Sequence, residues 1–158
     1  MNSAPASGEL TRQESTELLR GDFGRAVRDT VGAFVAPIVW ETLGEDGEVI
    51  LRNGTTFFLD AGQGPFVVTA DHVYQGYLDA RAAYPESRCQ LWRMPFDPTD
   101  RLIARSSSYG VDIATFRITE HEIRRLDKSV ITGCQASWPP DPPQEGKGVW
   151  FAGYPGND

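Results

Sequence analysis

Apolar residues recur along this chain at two different periods. Near the N-terminus Leu19, Phe23 and Val27 repeat at four-residue spacing, which is the spacing of one helix face. Thr11 with Glu14 makes a capping box, so the pattern predicts a helix over 11–29, weakened by Gly21 and Gly24. From residue 33 the period shortens. AFVAPIVW (33–40), VILRNGTTFFLD (49–60) and PFVVTA (65–70) are rich in β-branched and aromatic residues and read as strands. GEDGE at 44–48 is turn-like, and AGQG between the second and third strands is a hairpin signal. YLDARAA (77–83) predicts one or two helical turns, and RCQLWRM (88–94), RLIARSS (101–107) and DIATFRI (112–118) supply three more strands. HEIRRLDKS (121–129) reads as a polar connector. SWPPDPPQEGKG (137–148), with prolines at 139, 140, 142 and 143, reads as an extended linker before a last strand, VWFAGY (149–154).

Short strands at this spacing predict an antiparallel sandwich or barrel, not a parallel α/β sheet. The expected organisation is a helical N-terminal extension (1–30), a β-domain (31–136), the Pro-rich linker (137–148) and one strand at 149–158. That strand needs pairing partners. Either it returns to the first sheet, or the chain is the front part of a larger domain, in which case it is expected to associate through this unpaired strand.

Composition narrows the function classes. At 158 residues, 40% hydrophobic and 23% charged, the chain suits one globular domain. A net charge of −7 leaves no basic stripe to displace counterions, which argues against nucleic acid and against an anionic membrane surface. The longest apolar stretch, VGAFVAPIVW (31–40), is too short to span a bilayer. The N-terminal residues are polar and acidic where a signal peptide would be apolar. Cys89 and Cys134 form no disulfide framework, although a single bridge between them stays open. A cytoplasmic location is the expectation. Neither C-x-x-C nor H-E-x-x-H occurs, so no metal site and no cofactor are expected.

The chemistry sits in FVVTADHV (66–73), where His72 follows an apolar run, and in VDIATFRI (111–118), where Asp112 opens another. With VWFAGYPG (149–156) after the Pro-rich linker, these segments in this order resemble the chymotrypsin/trypsin-like serine peptidases, including bacterial forms without disulfides. The resemblance covers residues 31–158. His72 and Asp112 are 40 positions apart, close to the spacing of about 45 in the template triad. The resemblance implies an all-β fold: the first antiparallel barrel of a double β-barrel, with the second barrel truncated. It implies His72 as general base, Asp112 as the carboxylate that orients the imidazole, and a peptide or protein as substrate. The chemical need is plain: a serine hydroxyl attacks only when an imidazole takes its proton, and a carboxylate on the other ring nitrogen fixes the tautomer.

Two departures stand out. Asp71 replaces the small residue that precedes the family histidine; on a strand, neighbouring residues face opposite ways, so Asp71 is expected not to compete with Asp112. The second departure is the nucleophile. The family serine lies about 90 residues beyond its aspartate, in a G-x-S-G-G context, and no such motif occurs in these residues. Ser106, Ser107 and Ser108 precede Asp112 outside any such motif, and His121 reads as a solvated connector residue. The expectation is a serine endopeptidase whose nucleophile is absent from this chain, leaving residues 1–158 inactive alone. The alternatives are a non-catalytic barrel acting as a binding or regulatory module, and an unrelated small β-barrel in which His72 and Asp112 lie far apart.

Overall fold

The computed structural model describes residues 10–108, 110–133, 142 and 152–154. Two helices open the chain, α1 (Arg12–Arg20) and α2 (Asp22–Gly32). The Thr11–Glu14 capping box forms: Thr11 Oγ1 accepts the Glu14 N–H, and the Glu14 carboxylate accepts the Thr11 N–H at 2.8 Å. The single helix expected over 11–29 is broken at Gly21, where the backbone turns extended. Gly24 explains the fold-back. A Cβ there would lie 1.9 Å from the Leu19 carbonyl oxygen, so only glycine lets α2 approach the end of α1 this closely.

The strands follow: β1 (Val35–Leu43), β2 (Val49–Asp60), β3 (Pro65–Thr69), β4 (Cys89–Leu91), β5 (Met94–Pro95), β6 (Leu102–Ser106), β7 (Ile113–Arg117) and β8 (Ile131–Thr132). Helices α3 (Asp71–Ala83), α4 (Pro98–Arg101) and α5 (Glu120–Arg125) lie between them. The AGQG hairpin forms as expected. Asp60 Oδ1 accepts the N–H groups of Gly62 (2.7 Å) and Gly64 (3.1 Å), and both glycines take positive φ, +95° and +96°. RCQLWRM is not one strand. The chain reverses at Trp92–Arg93, with Trp92 at φ 55°, and β4 pairs back onto β5. The connector at 121–129 is partly helical, because Thr119 and Glu122 make a second capping box at the start of α5.

All strands join one sheet in the order β5-β4-β1-β2-β3-β7-β6, antiparallel along this path, with β8 parallel to the end of β2. This corrects the all-β barrel expected from the sequence in two ways. Five helices among the described residues make the chain mixed in content, and no ladder joins β5 to β6, so the sheet is not a closed barrel. The sheet nonetheless wraps a shared core. Phe96, just past β5, meets Phe116 of β7 edge-to-face at 6.1 Å, and Tyr74 of α3 also meets Phe116 edge-to-face at 5.1 Å. Ala36, Phe58, Val67, Leu91, Ala114 and Phe116 are fully buried around them. Within this core Thr56 keeps its hydroxyl satisfied by donating to the Ala36 carbonyl at 2.8 Å.

Residues Ala152–Tyr154 return to β2. The Tyr154 N–H donates to Thr55 Oγ1 at 2.6 Å, and the same hydroxyl donates to the Tyr154 carbonyl at 3.2 Å. The strand expected at 149–154 and the linker expected at 137–148 otherwise lie outside the described residues, as does Cys134; Cys89 is a buried free thiol. No helix among the described residues is long and apolar enough to cross a membrane.

One ion pair makes the fold acid-sensitive. Arg101 Nη2 donates to Glu122 Oε1 at 2.8 Å, while the Thr119 N–H and hydroxyl donate to Oε2 at 2.9 Å. The Arg101 guanidinium foremost, and then Thr119, hold the Glu122 carboxyl down at about 2 against an ordinary 4.5, although burial pushes it the other way. A depressed folded-state value stabilises the fold above about pH 4.5 and loses that contribution as pH falls towards 2. Wild type is expected to lose on the order of 2 kcal/mol more than Glu122→Gln between about pH 5 and pH 2, measured by urea denaturation at each pH. Parallel pH profiles would show that the pair contributes nothing.

Candidate active site

The sheet register explains why residues 40 positions apart meet. β3 and β7 run antiparallel with Thr69 opposite Ala114 and Val68 opposite Thr115. The residues just past β3 therefore stand beside those just before β7. The first group is Ala70–His72 and the second is Val111–Asp112. Any sequence that sets this register brings His72 and Asp112 to the same end of the sheet.

His72 is not the end of a strand, as the sequence pattern implied. Ala70 is the N-cap of α3, and Asp71 and His72 are its first helical residues. Ala70 has no side-chain oxygen, and no side-chain cap comes from it. Asp112 supplies one from across the sheet. Its Oδ1 accepts the His72 backbone N–H at 2.9 Å, satisfying one of the amides that every helix start leaves open. A carboxylate there also complements the positive end of the helix dipole.

The other carboxylate oxygen takes the ring. Asp112 Oδ2 lies 2.5 Å from His72 Nδ1, so one carboxylate fixes both the backbone and the imidazole of one residue. The His72 hydrogen bonds, side chain first and backbone second, hold the Asp112 carboxyl below its ordinary value. Asp112 is thus an anion throughout the neutral range, and its acceptor fixes the proton of a neutral imidazole on Nδ1. That leaves the Nε2 lone pair free. The His72 side chain is 74% exposed, and among the described residues Nε2 has no hydrogen-bond partner. A base poised on an anion, with its working nitrogen turned to solvent, can accept a proton from a hydroxyl or water brought to it.

Asp71 does stay away from the ring, but for a different reason than strand alternation. Successive residues on a helix are turned about 100° apart, and Asp71 points inward, 3% exposed, to an ion pair with Arg105 of β6. Sequence reasoning missed Arg105. The available signal was Asp71 itself: an aspartate beside an apolar run requires a cation if it is buried.

Close packing fixes the helix start from beneath. A Cβ on Gly54 of β2 would lie 2.4 Å from Val73 Cγ1, so glycine at 54 lets the first turn of α3 sit directly on the sheet. Ser106 at the end of β6 and Ser108 in the β6–β7 connection have their hydroxyls 3.4 Å apart, and neither bonds to His72. His121 is exposed on α5. The Cys89 thiol is pushed up to about 12 by burial, so it is protonated at neutral pH and is no rival nucleophile. Among the described residues no three His, Cys, Asp or Glu side chains converge to hold a metal ion. A groove of about 780 Å³ opens at the opposite end of β3 and β7, beside Phe66, Arg101 and Arg117. It does not include His72 or Asp112, and the chemistry described here is a surface dyad rather than a pocket. No family model, curated protein or solved structure matches this chain.

Proposed function

We propose that His72 and Asp112 are the general base and orienting acid of a serine endopeptidase, serving a serine supplied from outside these 158 residues. One observation carries the reading: a single carboxylate bonds both the backbone N–H and Nδ1 of His72, while Nε2 stays accessible. In this mechanism Nε2 takes the serine proton during attack on the peptide carbonyl. The imidazolium is stabilised by Asp112 and then protonates the leaving amine, giving an acyl-enzyme that water hydrolyses by the reverse proton path. The antiparallel order β4-β1-β2-β3-β7-β6, curled so that Phe96 meets Phe116, supports reading the sheet as an open counterpart of the first barrel of a chymotrypsin-like pair.

The second reading, a non-catalytic binding or regulatory module, is favoured by a core already buried within the described residues. A fluorophosphonate, which labels only activated serines, separates the two. Residues 1–158 alone are expected to stay unlabelled. The polypeptide read through the coding region beyond codon 158 is expected to be labelled on one serine, with labelling lost in His72→Ala. Absence of any labelled serine in that longer polypeptide would leave the module.

A further inference from the structure

We propose that Arg105 is a positioning residue for His72, acting through Asp71. The inference rests on the base-and-acid reading of His72 and Asp112 and names what holds that pair in place.

Asp71 is buried and its carboxylate is fully engaged. Arg105 Nε donates to Oδ1 at 2.6 Å and Nη2 to Oδ2 at 2.8 Å, the two-pronged geometry that only a guanidinium provides. Nη2 also donates to Gln75 Oε1 at 2.9 Å, and the guanidinium lies 5.1 Å from the Tyr74 ring centroid. One side chain therefore grips residues 71, 74 and 75, which form one face of the first helical turn. Its charge is secure, since the Asp71 hydrogen bond raises an already high guanidinium value further.

Arg105 stands opposite Ala114 in the β6–β7 ladder, and Asp112 lies just before β7. Adjacent helix residues thus each hold one limb of the same connection: Asp71 grips Arg105 on the way out, and His72 grips Asp112 on the way back. The helix start has no cap from its own N-cap residue, so these two ties, together with the packing of Val73 on Gly54, determine where the His72 ring stands. Loss of the Arg105 tie frees the first turn to rotate and leaves an unpaired carboxylate buried beneath that turn. Asp112 can still cap a backbone amide after such a rotation, but the ring no longer meets its second oxygen.

The test reads the His72 tautomer in the 158-residue chain by long-range ¹H–¹⁵N correlation at neutral pH. Wild type is expected to show the Nδ1–H form. Arg105→Met is expected to lose that preference, moving to the Nε2–H form that an unconstrained histidine side chain favours. Arg105→Lys, which keeps the charge but not the fork, is expected to fall between them, and it substitutes if the methionine variant fails to fold. Glu122→Gln breaks an ion pair remote from His72 and serves as the stability control; it is expected to leave the tautomer unchanged. An unchanged Nδ1–H form in folded Arg105→Met and Arg105→Lys overturns the positioning role alone. An equal shift in Glu122→Gln overturns it too, since general loosening would then explain the effect. A wild-type ring already in the Nε2–H form sinks both the positioning role and the base-and-acid reading.

Discussion

Asp112→Asn is expected to lower peptide hydrolysis by about 10⁴-fold in the polypeptide that joins residues 1–158 to the proposed serine, with little change in stability. The reason lies in the two oxygens of Asp112. An asparagine can keep its amide oxygen on the His72 backbone N–H, so the helix cap survives. Its NH₂ group then faces Nδ1, which must become the acceptor. The proton moves to Nε2, and the nitrogen that should take the serine proton no longer has a lone pair. The measurement is kcat for a peptide substrate beside urea denaturation of the same variant. A large drop in kcat with an unchanged midpoint supports the orienting role. Equal activity would reduce Asp112 to a helix cap, and a loss of both would mean that its role is structural.

Phe116→Ala is expected to cost about 3–5 kcal/mol of folding stability. Phe116 is fully buried on β7 and joins the two ends of the sheet by meeting Phe96, just past β5, at 6.1 Å, with Tyr74 of α3 at 5.1 Å. Truncation removes apolar surface from the core, leaves a cavity, and breaks two edge-to-face contacts worth about 0.5–1.5 kcal/mol each. Phe116→Leu, which fills part of the space, is expected to lose much less. Both are read by chemical denaturation at neutral pH. A loss below about 1 kcal/mol for the alanine variant would mean that the sheet ends do not pack on one core, since a fully buried phenylalanine cannot be removed so cheaply.

Much of the strand pattern was legible in sequence because it depends on local choices. β2 and β3 occupy the stretches that their β-branched and aromatic residues predicted, and the loop between them is held by Asp60 and two glycines of that same loop. The capping box at Thr11 is equally local. The second box, Thr119 with Glu122, was present in the same form and went unread because charged residues around it suggested a connector. Helix α3 is a different case. Its N-cap is alanine, Gly76 lies in its interior where glycine is a poor helix former, and the carboxylate that caps it comes from 40 residues away. Gly76 also serves packing, since a Cβ there would lie 3.3 Å from the Trp40 ring. Neither cause is visible in a local window, so only a turn or two at 77–83 was expected. The reversal at Trp92 was equally hidden. A tryptophan at positive φ carries no turn signature, and its N–H is held by the Pro37 carbonyl of β1 at 2.7 Å.

The sequence by itself determined where the strands that flank His72 and Asp112 run, because hydrophobic period is a local property. It pointed to those two residues as an acid–base pair only through their resemblance to a peptidase family. Only the tertiary structure decided that His72 begins a helix, that Asp112 caps that helix as well as holding the ring, and that Arg105 secures the same turn through Asp71. Those outcomes depend on the antiparallel register of β3, β7 and β6. Register sets which distant residues become neighbours, and a chain of letters does not contain it.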